Sequence, residues 1–80
     1  MFYVYILQSI DYENRTYVGF TENLKQRLKD HNDGFSKHTN KFRPWKLVYA
    51  SIFADKKKVL DFELYLKTAS GKAFLRKRLI

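Results

Sequence analysis

The feature that most constrains the fold is an uninterrupted run of apolar and aromatic residues at the start of the chain, Phe2–Leu7. A run without polar alternation suits a strand that is covered on both faces better than a half-exposed strand. The chain has 80 residues, and a chain of this size buries only about 60% of its unfolded surface on folding, which leaves room for one compact domain. We therefore expect residues 1–80 to form a single domain around a central first strand.

Two further strands and a helix follow in the sequence pattern. After a polar stretch, Arg15–Phe20 is again β-branched and aromatic, which predicts an antiparallel hairpin with the first strand. Thr21 offers a side-chain N-cap for a helix that runs to about Asn32. A polar and basic loop, residues 35–44, then leads to a third strand within Trp45–Phe53.

The last quarter of the chain is helical in pattern. Asp55 offers an N-cap for a helix through about Ala69, and Gly71 is expected to break it before a short final helix. The predicted order is therefore ββαβα plus a C-terminal helix. This order defines an α+β fold with a small three-stranded antiparallel sheet flanked by helices.

Charge and composition narrow the function. Lys and Arg number 16 against 8 Asp and Glu, for a net charge of +8, and there is no cysteine. A basic domain favours a polyanionic partner, above all nucleic acid, whereas the lack of cysteine excludes a disulfide framework, a thiolate zinc site and a cysteine nucleophile. No apolar run approaches the roughly 20 residues that span a bilayer, and no signal peptide is evident. We expect a cytoplasmic protein without a membrane partner, and the sequence does not predict its oligomeric state.

Polar residues lie on the apolar stripes of both main helices. In the first helix, Arg27 and His31 share the sector of Leu24 and Leu28, so the Arg either snorkels to the sheet edge or faces an anion. In the second helix, Glu63 lies inside the apolar sector, where a carboxylate needs a partner. That partner is Lys67 at i+4, Arg27 across the core, or a divalent metal.

Strand alternation adds tyrosines to this set. Tyr3 and Tyr5 share one face of the first strand, and Tyr17 shares a face of the second strand with Gly19. Tyr5 and Tyr17 are then near neighbours across the hairpin, although most sheet tyrosines are packing residues. Gly19 either allows close approach of another group or is a turn residue.

In register, these residues resemble the GIY-YIG nucleases, a family that includes homing endonucleases and the N-terminal domain of the bacterial excision-repair incision subunit. Tyr3–Tyr5 stands where the family has GIY, although Tyr3 replaces its Gly, and Tyr17–Gly19 stands where it has YIG. Arg27 and His31 stand where the family helix has its Arg and, four residues later, its His, and Glu63 stands where short members carry a metal-binding Glu. Arg43–Tyr49 resembles the lead into the third strand, and the whole chain is most similar to short stand-alone bacterial members.

The resemblance implies phosphodiester hydrolysis with one divalent metal, Mg²⁺ or Mn²⁺, bound by Glu63. Tyr5 would act as general base or orient the water, with Tyr17 and His31 in its hydrogen-bond chain. Arg27 would neutralise charge that develops on the phosphate. Neighbouring cations are needed because a free Tyr has a pKa of about 10.

We accordingly expect an endonuclease acting on DNA, in repair or in the processing of branched or damaged DNA. The residues expected to contact the nucleic acid are Lys37, His38, Lys41, Arg43 and Lys67. Two other classes stay open: a catalytically silent nucleic-acid-binding domain, and a protein-interaction module in which Arg27 and Glu63 form only a buried salt bridge.

Overall fold

A computed structural model describes residues 1–80 and confirms the predicted α+β class. Its strands and helices are β1 (Phe2–Ser9), β2 (Thr16–Thr21), α1 (Leu24–Asn32), β3 (Trp45–Phe53), α2 (Lys56–Leu66) and α3 (Ala69–Phe74). A 3₁₀ turn at Asn40–Phe42 lies in the basic loop, and a π-helical turn at Leu75–Leu79 continues α3. No helix is long and apolar enough to span a membrane.

The apolar first strand is the centre of the sheet, as predicted. The strand order is β2-β1-β3 and both pairings are antiparallel. Tyr5 lies opposite Gly19 on one side and opposite Ala50 on the other. Val4, Tyr5, Ile6 and Leu7 are buried because helices cover both faces of this strand.

Two apolar clusters lie on the two faces of the sheet. On one face, a cluster containing Val4 and Ile6 is completed by Val59 and Leu66 of α2 and by Leu75. On the other face, the buried members are Tyr5, Leu7 and Trp45, against which Leu24 and Leu28 of α1 pack. The sheet therefore separates α1 from the C-terminal helices, and Tyr5 belongs to the α1 side.

The first helix begins later than the sequence indicated. Its N-cap is Asn23 rather than Thr21, and the Asn23 side chain accepts a hydrogen bond from the Gln26 backbone N–H at 3.1 Å. Thr21 is still paired with Tyr3 in β2, and its hydroxyl oxygen accepts from the Asn23 backbone N–H at 3.1 Å. Pairing of Thr21 in the strand thus delays the start of the helix by two residues.

The second helix ends earlier than predicted, at Leu66 rather than near Ala69. Its N-cap is Asp55, as expected, but the break comes at Thr68, whose hydroxyl accepts from the Gly71 backbone N–H at 3.0 Å and caps α3. Gly71 is therefore inside α3 and does not break a helix. A Cβ there would lie 2.7 Å from the Cα of Leu66, so the glycine allows close packing of α3 against the end of α2.

Candidate active site

The hydroxyl of Tyr5 is the centre of a buried polar cluster. Tyr5 is 1% exposed, and its hydroxyl lies 2.8 Å from Nε2 of His31 and accepts a hydrogen bond from Nε of Arg27 at 3.3 Å. The Tyr17 ring lies 5.0 Å from the His31 ring and 6.3 Å from the Tyr5 ring, between centroids. The structure therefore brings together all four residues that the sequence singled out as catalytic.

Three elements position this cluster. Tyr5 lies on the central strand and Tyr17 on the neighbouring edge strand β2, while Arg27 and His31 lie one helical turn apart on α1 and so point the same way. Gly19, directly opposite Tyr5, completes the arrangement because a Cβ there would lie only 2.5 Å from Cζ of the Tyr5 ring and closer still to its hydroxyl. The ring of Tyr5 can lie across β2 only because residue 19 has no side chain.

His31 is fully buried, which decides its charge. Burial, with the nearby Arg27 guanidinium as a second cause, lowers the pKa of His31 to about 4, and Asp30 opposes this shift only in part. The imidazole is therefore neutral at pH 7, with one nitrogen that donates and one that accepts. Nε2 faces the Tyr5 hydroxyl, and Nδ1 lies 2.6 Å from Oγ1 of Thr39.

Thr39 belongs to this buried polar cluster, although no feature of the sequence predicted it. It is completely buried, and its backbone carbonyl accepts a hydrogen bond from Nε1 of Trp45 at 2.8 Å. Its hydroxyl faces His31 and not solvent, so it extends the chain of polar groups that starts at Tyr5. A threonine in a polar, basic loop carries no local signal of burial, and only the folding of this loop over α1 reveals the contact.

The Tyr5 phenol keeps its proton in this environment. Burial raises the pKa of Tyr5 to about 12, and Tyr17 and Glu63 add to the rise, whereas the hydrogen bond and the charge of Arg27 lower it. In turn, the hydrogen bond to Tyr5 raises the pKa of Arg27. Arg27 thus lowers the pKa of Tyr5, as expected for activation of a tyrosine base, but desolvation raises this pKa by more.

Glu63 lies within electrostatic range of this cluster. Its side chain is 13% exposed, and its Oε2 forms an ion pair with Lys67, one helical turn further along α2. The alternative ion pair with Arg27 is not formed, since Arg27 donates to Tyr5 instead. Of the three partners considered for this carboxylate, Lys67 is the one present in the structure.

The donor set around Glu63 fits magnesium better than a metal that needs several protein ligands. No group of three or more His, Cys, Asp or Glu side chains converges anywhere in the chain. The ion pair uses Oε2, so Oε1 remains for a cation. One carboxylate completed by water and phosphate oxygens is a common arrangement for Mg²⁺.

The other residues predicted to contact nucleic acid lie outside the tyrosine cluster. Lys37, His38, Lys41 and Arg43 are exposed on the basic loop. Two of them have neighbours within the protein: Nη1 of Arg43 donates to the carbonyl of Asn32 at 3.5 Å, and Nζ of Lys41 lies 5.6 Å from the centroid of the Phe42 ring. Because the same loop contains Thr39, these cations lie on the segment that covers His31.

Comparisons with known proteins identify the family to which the chain belongs. The family model described as "GIY-YIG catalytic domain" matches residues 1–78. A UPF0213 protein of Bacillus licheniformis is 41% identical over 71 residues, covering 88% of this chain and 71% of that protein. A UPF0213 protein of Staphylococcus haemolyticus is 37% identical over 75 residues, covering 92% of this chain and 89% of that protein.

A solved structure gives the same answer for the fold. The solution NMR structure of a UPF0213 protein from Bacillus halodurans matches with a TM-score of 0.58 at 31% identity, covering 96% of this chain and 84% of that chain. The family model, the relatives and the solved structure therefore lead to one assignment. The chain belongs to the GIY-YIG catalytic domain family, a nuclease-type family.

Proposed function

We propose that the protein is a metal-dependent endonuclease that hydrolyses phosphodiester bonds of DNA, with a role in repair or in the processing of branched or damaged DNA. The observation that carries the proposal is the buried hydroxyl of Tyr5, held between His31 and Arg27 within electrostatic range of Glu63. This combination supplies a group that positions water, a cation for phosphate and a carboxylate for metal. Phosphoryl transfer depends chiefly on such positioning and electrostatic stabilisation.

The charge of Arg27 supports an anionic substrate. None of the three ion pairs in the protein includes Arg27, and its nearest polar partner is the neutral Tyr5 hydroxyl. A partly buried guanidinium without a carboxylate is costly unless an anion binds beside it. A scissile phosphate would supply that anion, whereas a purely structural role would favour a salt bridge with Glu63.

The protein groups have the following roles in the proposed reaction. Water attacks phosphorus, a bond forms between the water oxygen and phosphorus, and the bond from phosphorus to one ester oxygen breaks. The leaving oxygen keeps the electron pair and takes a proton from solvent water. Tyr5 orients the water through its hydroxyl, which neutral His31 holds in place, and the proton of the water is released to solvent. Arg27 stabilises the negative charge that develops on the phosphate oxygens.

Glu63 is the residue that would hold Mg²⁺ or Mn²⁺. When bound, the cation supplies positive charge at the phosphate oxygens and favours deprotonation of water. Lys67 restrains the carboxylate through its ion pair, and its side chain is 47% exposed. Lys67 is thus able to leave Glu63 for a phosphate oxygen when the metal binds.

A second candidate function, a silent nucleic-acid-binding domain, is favoured by one observation. The Glu63 carboxylate is already neutralised by Lys67. If that pair persisted on DNA, the site would bind a phosphate without recruiting a metal. The two candidate functions predict different results when metal is added: an endonuclease cleaves the DNA backbone, whereas a silent binding domain leaves it intact.

Nicking of supercoiled plasmid in Mg²⁺ or Mn²⁺, with and without EDTA, tests the proposal. The parent protein is compared with Glu63→Gln and Arg27→Ala, each shown to be folded by circular dichroism. Asp61→Asn is the matched control, because Asp61 is an exposed carboxylate of the same helix whose ion pair is with Lys57. We expect metal-dependent nicking in the parent and the control, and its loss in the other two.

Branched and flapped DNA are assayed in the same way. Binding of DNA without cleavage of any of these substrates, unchanged by metal, would support the silent binding domain instead. Equal cleavage by Glu63→Gln and Asp61→Asn would refute the role of Glu63 in the site.

A further inference from the structure

A concave surface lies beside the tyrosine cluster, with Tyr17 in its lining. A cavity of about 340 Å³ opens between the edge strand β2 and the C-terminal helices. Leu66 and Leu75 lie in its lining and also belong to the apolar core. The cavity is thus a recess in the folded domain with an apolar base.

The charged residues that line this recess are all cationic. They are Arg15, Lys67, Lys72 and Arg76, and no Asp or Glu is among the lining residues. They come from four separate places: Arg15 directly precedes β2, Lys67 directly follows α2, Lys72 lies in α3 and Arg76 lies in the π-helical turn. The fold, and not a local run of basic sequence, therefore concentrates positive charge here.

Three of the four cations of the recess have no ion-pair partner within the protein. Among the three ion pairs, only the one between Lys67 and Glu63 includes a residue of the recess. Arg15 is placed over the Phe42 ring, 4.7 Å from the centroid. Lys72 and Arg76 are four residues apart in helical structure, where like charges repel each other. An external anion would relieve this repulsion.

The recess shares two of its lining residues with the surroundings of the candidate active site. Tyr17 and Lys67 both line the recess, while the Tyr17 ring contacts the ring of His31 and Lys67 pairs with Glu63. A strand whose phosphate lies at Arg27 and Glu63 would therefore reach the recess along its own backbone. The loop cations Lys37 and Lys41, which the sequence predicted to contact nucleic acid, do not line the recess.

We infer that this recess binds a backbone phosphate of the nucleic-acid strand next to the phosphate that is cleaved, with Lys72 and Arg76 as its principal contacts. The inference rests on the proposed function in one respect, that the ligand is the strand held in the active site. Contacts to phosphate carry no base information, so the recess sets the position of the strand and not the sequence that is cleaved.

Binding of a labelled duplex in EDTA, measured by fluorescence anisotropy, tests the inference without any turnover. The double variant Lys72→Gln/Arg76→Gln is compared with Lys77→Gln/Arg78→Gln, which removes the same two kinds of charge from exposed neighbours that do not line the recess. We expect the first variant to raise the Kd about tenfold more than the second. It should also reduce the slope of log K against log salt by about 1, since the loss of one phosphate contact removes about 0.9 from the slope.

Two further measurements separate the possible failures. Equal Kd values and salt slopes for the two double variants would overturn the inference, even if the protein cleaves DNA. A tenfold difference in Kd without any nicking would uphold the recess while the proposed function fails. Competition with a mononucleotide identifies the source of the phosphate. If the mononucleotide displaces the labelled duplex at a concentration as low as the Kd of the duplex, the recess is a free-nucleotide site and the strand contact is refuted.

Discussion

Gly19→Ala should displace the Tyr5 hydroxyl from both of its partners. The new Cβ would lie 2.5 Å from Cζ of Tyr5, whereas ordinary contact begins at 3.4 Å. The ring must therefore move by about 1 Å, because β2 is paired to β1 at this position and its backbone cannot retreat. A shift of that size breaks the 2.8 Å contact with His31 and the 3.3 Å contact with Arg27.

The cost of this displacement follows from two effects. Overpacking a core by one methyl group costs about 1–3 kcal/mol, and each hydrogen bond lost contributes about 1 kcal/mol. The free energy of unfolding should fall by about 3–5 kcal/mol, and even the lower value lowers the Tm of a domain of this size by about 12–24 °C. Because a 1 Å misplacement of a reacting group costs about 100-fold in rate, nicking should fall by about that factor.

Urea titration followed by the fluorescence of buried Trp45 measures the stability, and plasmid nicking at a temperature where the variant is folded measures the rate. Ala50→Val is the control, since Ala50 is the other cross-strand neighbour of Tyr5 but is exposed. It should change stability by less than about 0.5 kcal/mol. A Gly19→Ala protein with parental stability and rate would refute the close approach of Tyr5 to β2.

Two further predictions concern His31 and its partner. The pKa of His31 is lowered to about 4 in the folded protein, against about 6.5 in the unfolded chain, so the unfolded chain binds more protons between these pH values. The free energy of unfolding should therefore fall by up to about 3 kcal/mol as the pH drops from 6.5 to 4. Urea midpoints across this range measure the change, and an equal pH dependence in His31→Gln would contradict the assignment to His31. Thr39→Val keeps the shape but leaves Nδ1 of His31 without a partner, so stability should fall by about 1–3 kcal/mol and the nicking rate should fall without a change in DNA affinity. Thr39→Ser should restore both, and failure of this rescue would show that the threonine serves only in packing.

The elements of the fold could be predicted because each depends on residues close together in the chain. The apolar run of β1 predicted a central strand, and the structure confirms it. The boundaries were less accurate where two local signals competed. Thr21 is a good N-cap residue that pairs in β2 instead, and Gly71, a typical helix breaker, is used for close packing within α3.

In the candidate site, too, the features that depend on local sequence could be predicted and those that depend on packing could not. Arg27, His31 and Glu63 were singled out because polar groups on apolar helix stripes violate a local pattern, and Tyr5 and Tyr17 because strand alternation places them near each other. Their charge states were not evident from the sequence, since burial of Tyr5 outweighs the effect of the adjacent Arg27 on its pKa. Desolvation depends on everything packed around a group, which no local pattern describes.

Thr39 and the cationic recess depend entirely on tertiary structure. Thr39 contacts His31 only because the basic loop folds over α1. Arg15 and Arg76 line the same recess only because the C-terminal helical segment lies beside the edge strand. By itself, the sequence determined the strands, the helices and the unusual residues on their faces. The tertiary structure alone decided which distant side chains share a buried space, because such contacts join segments whose local sequences carry no information about each other.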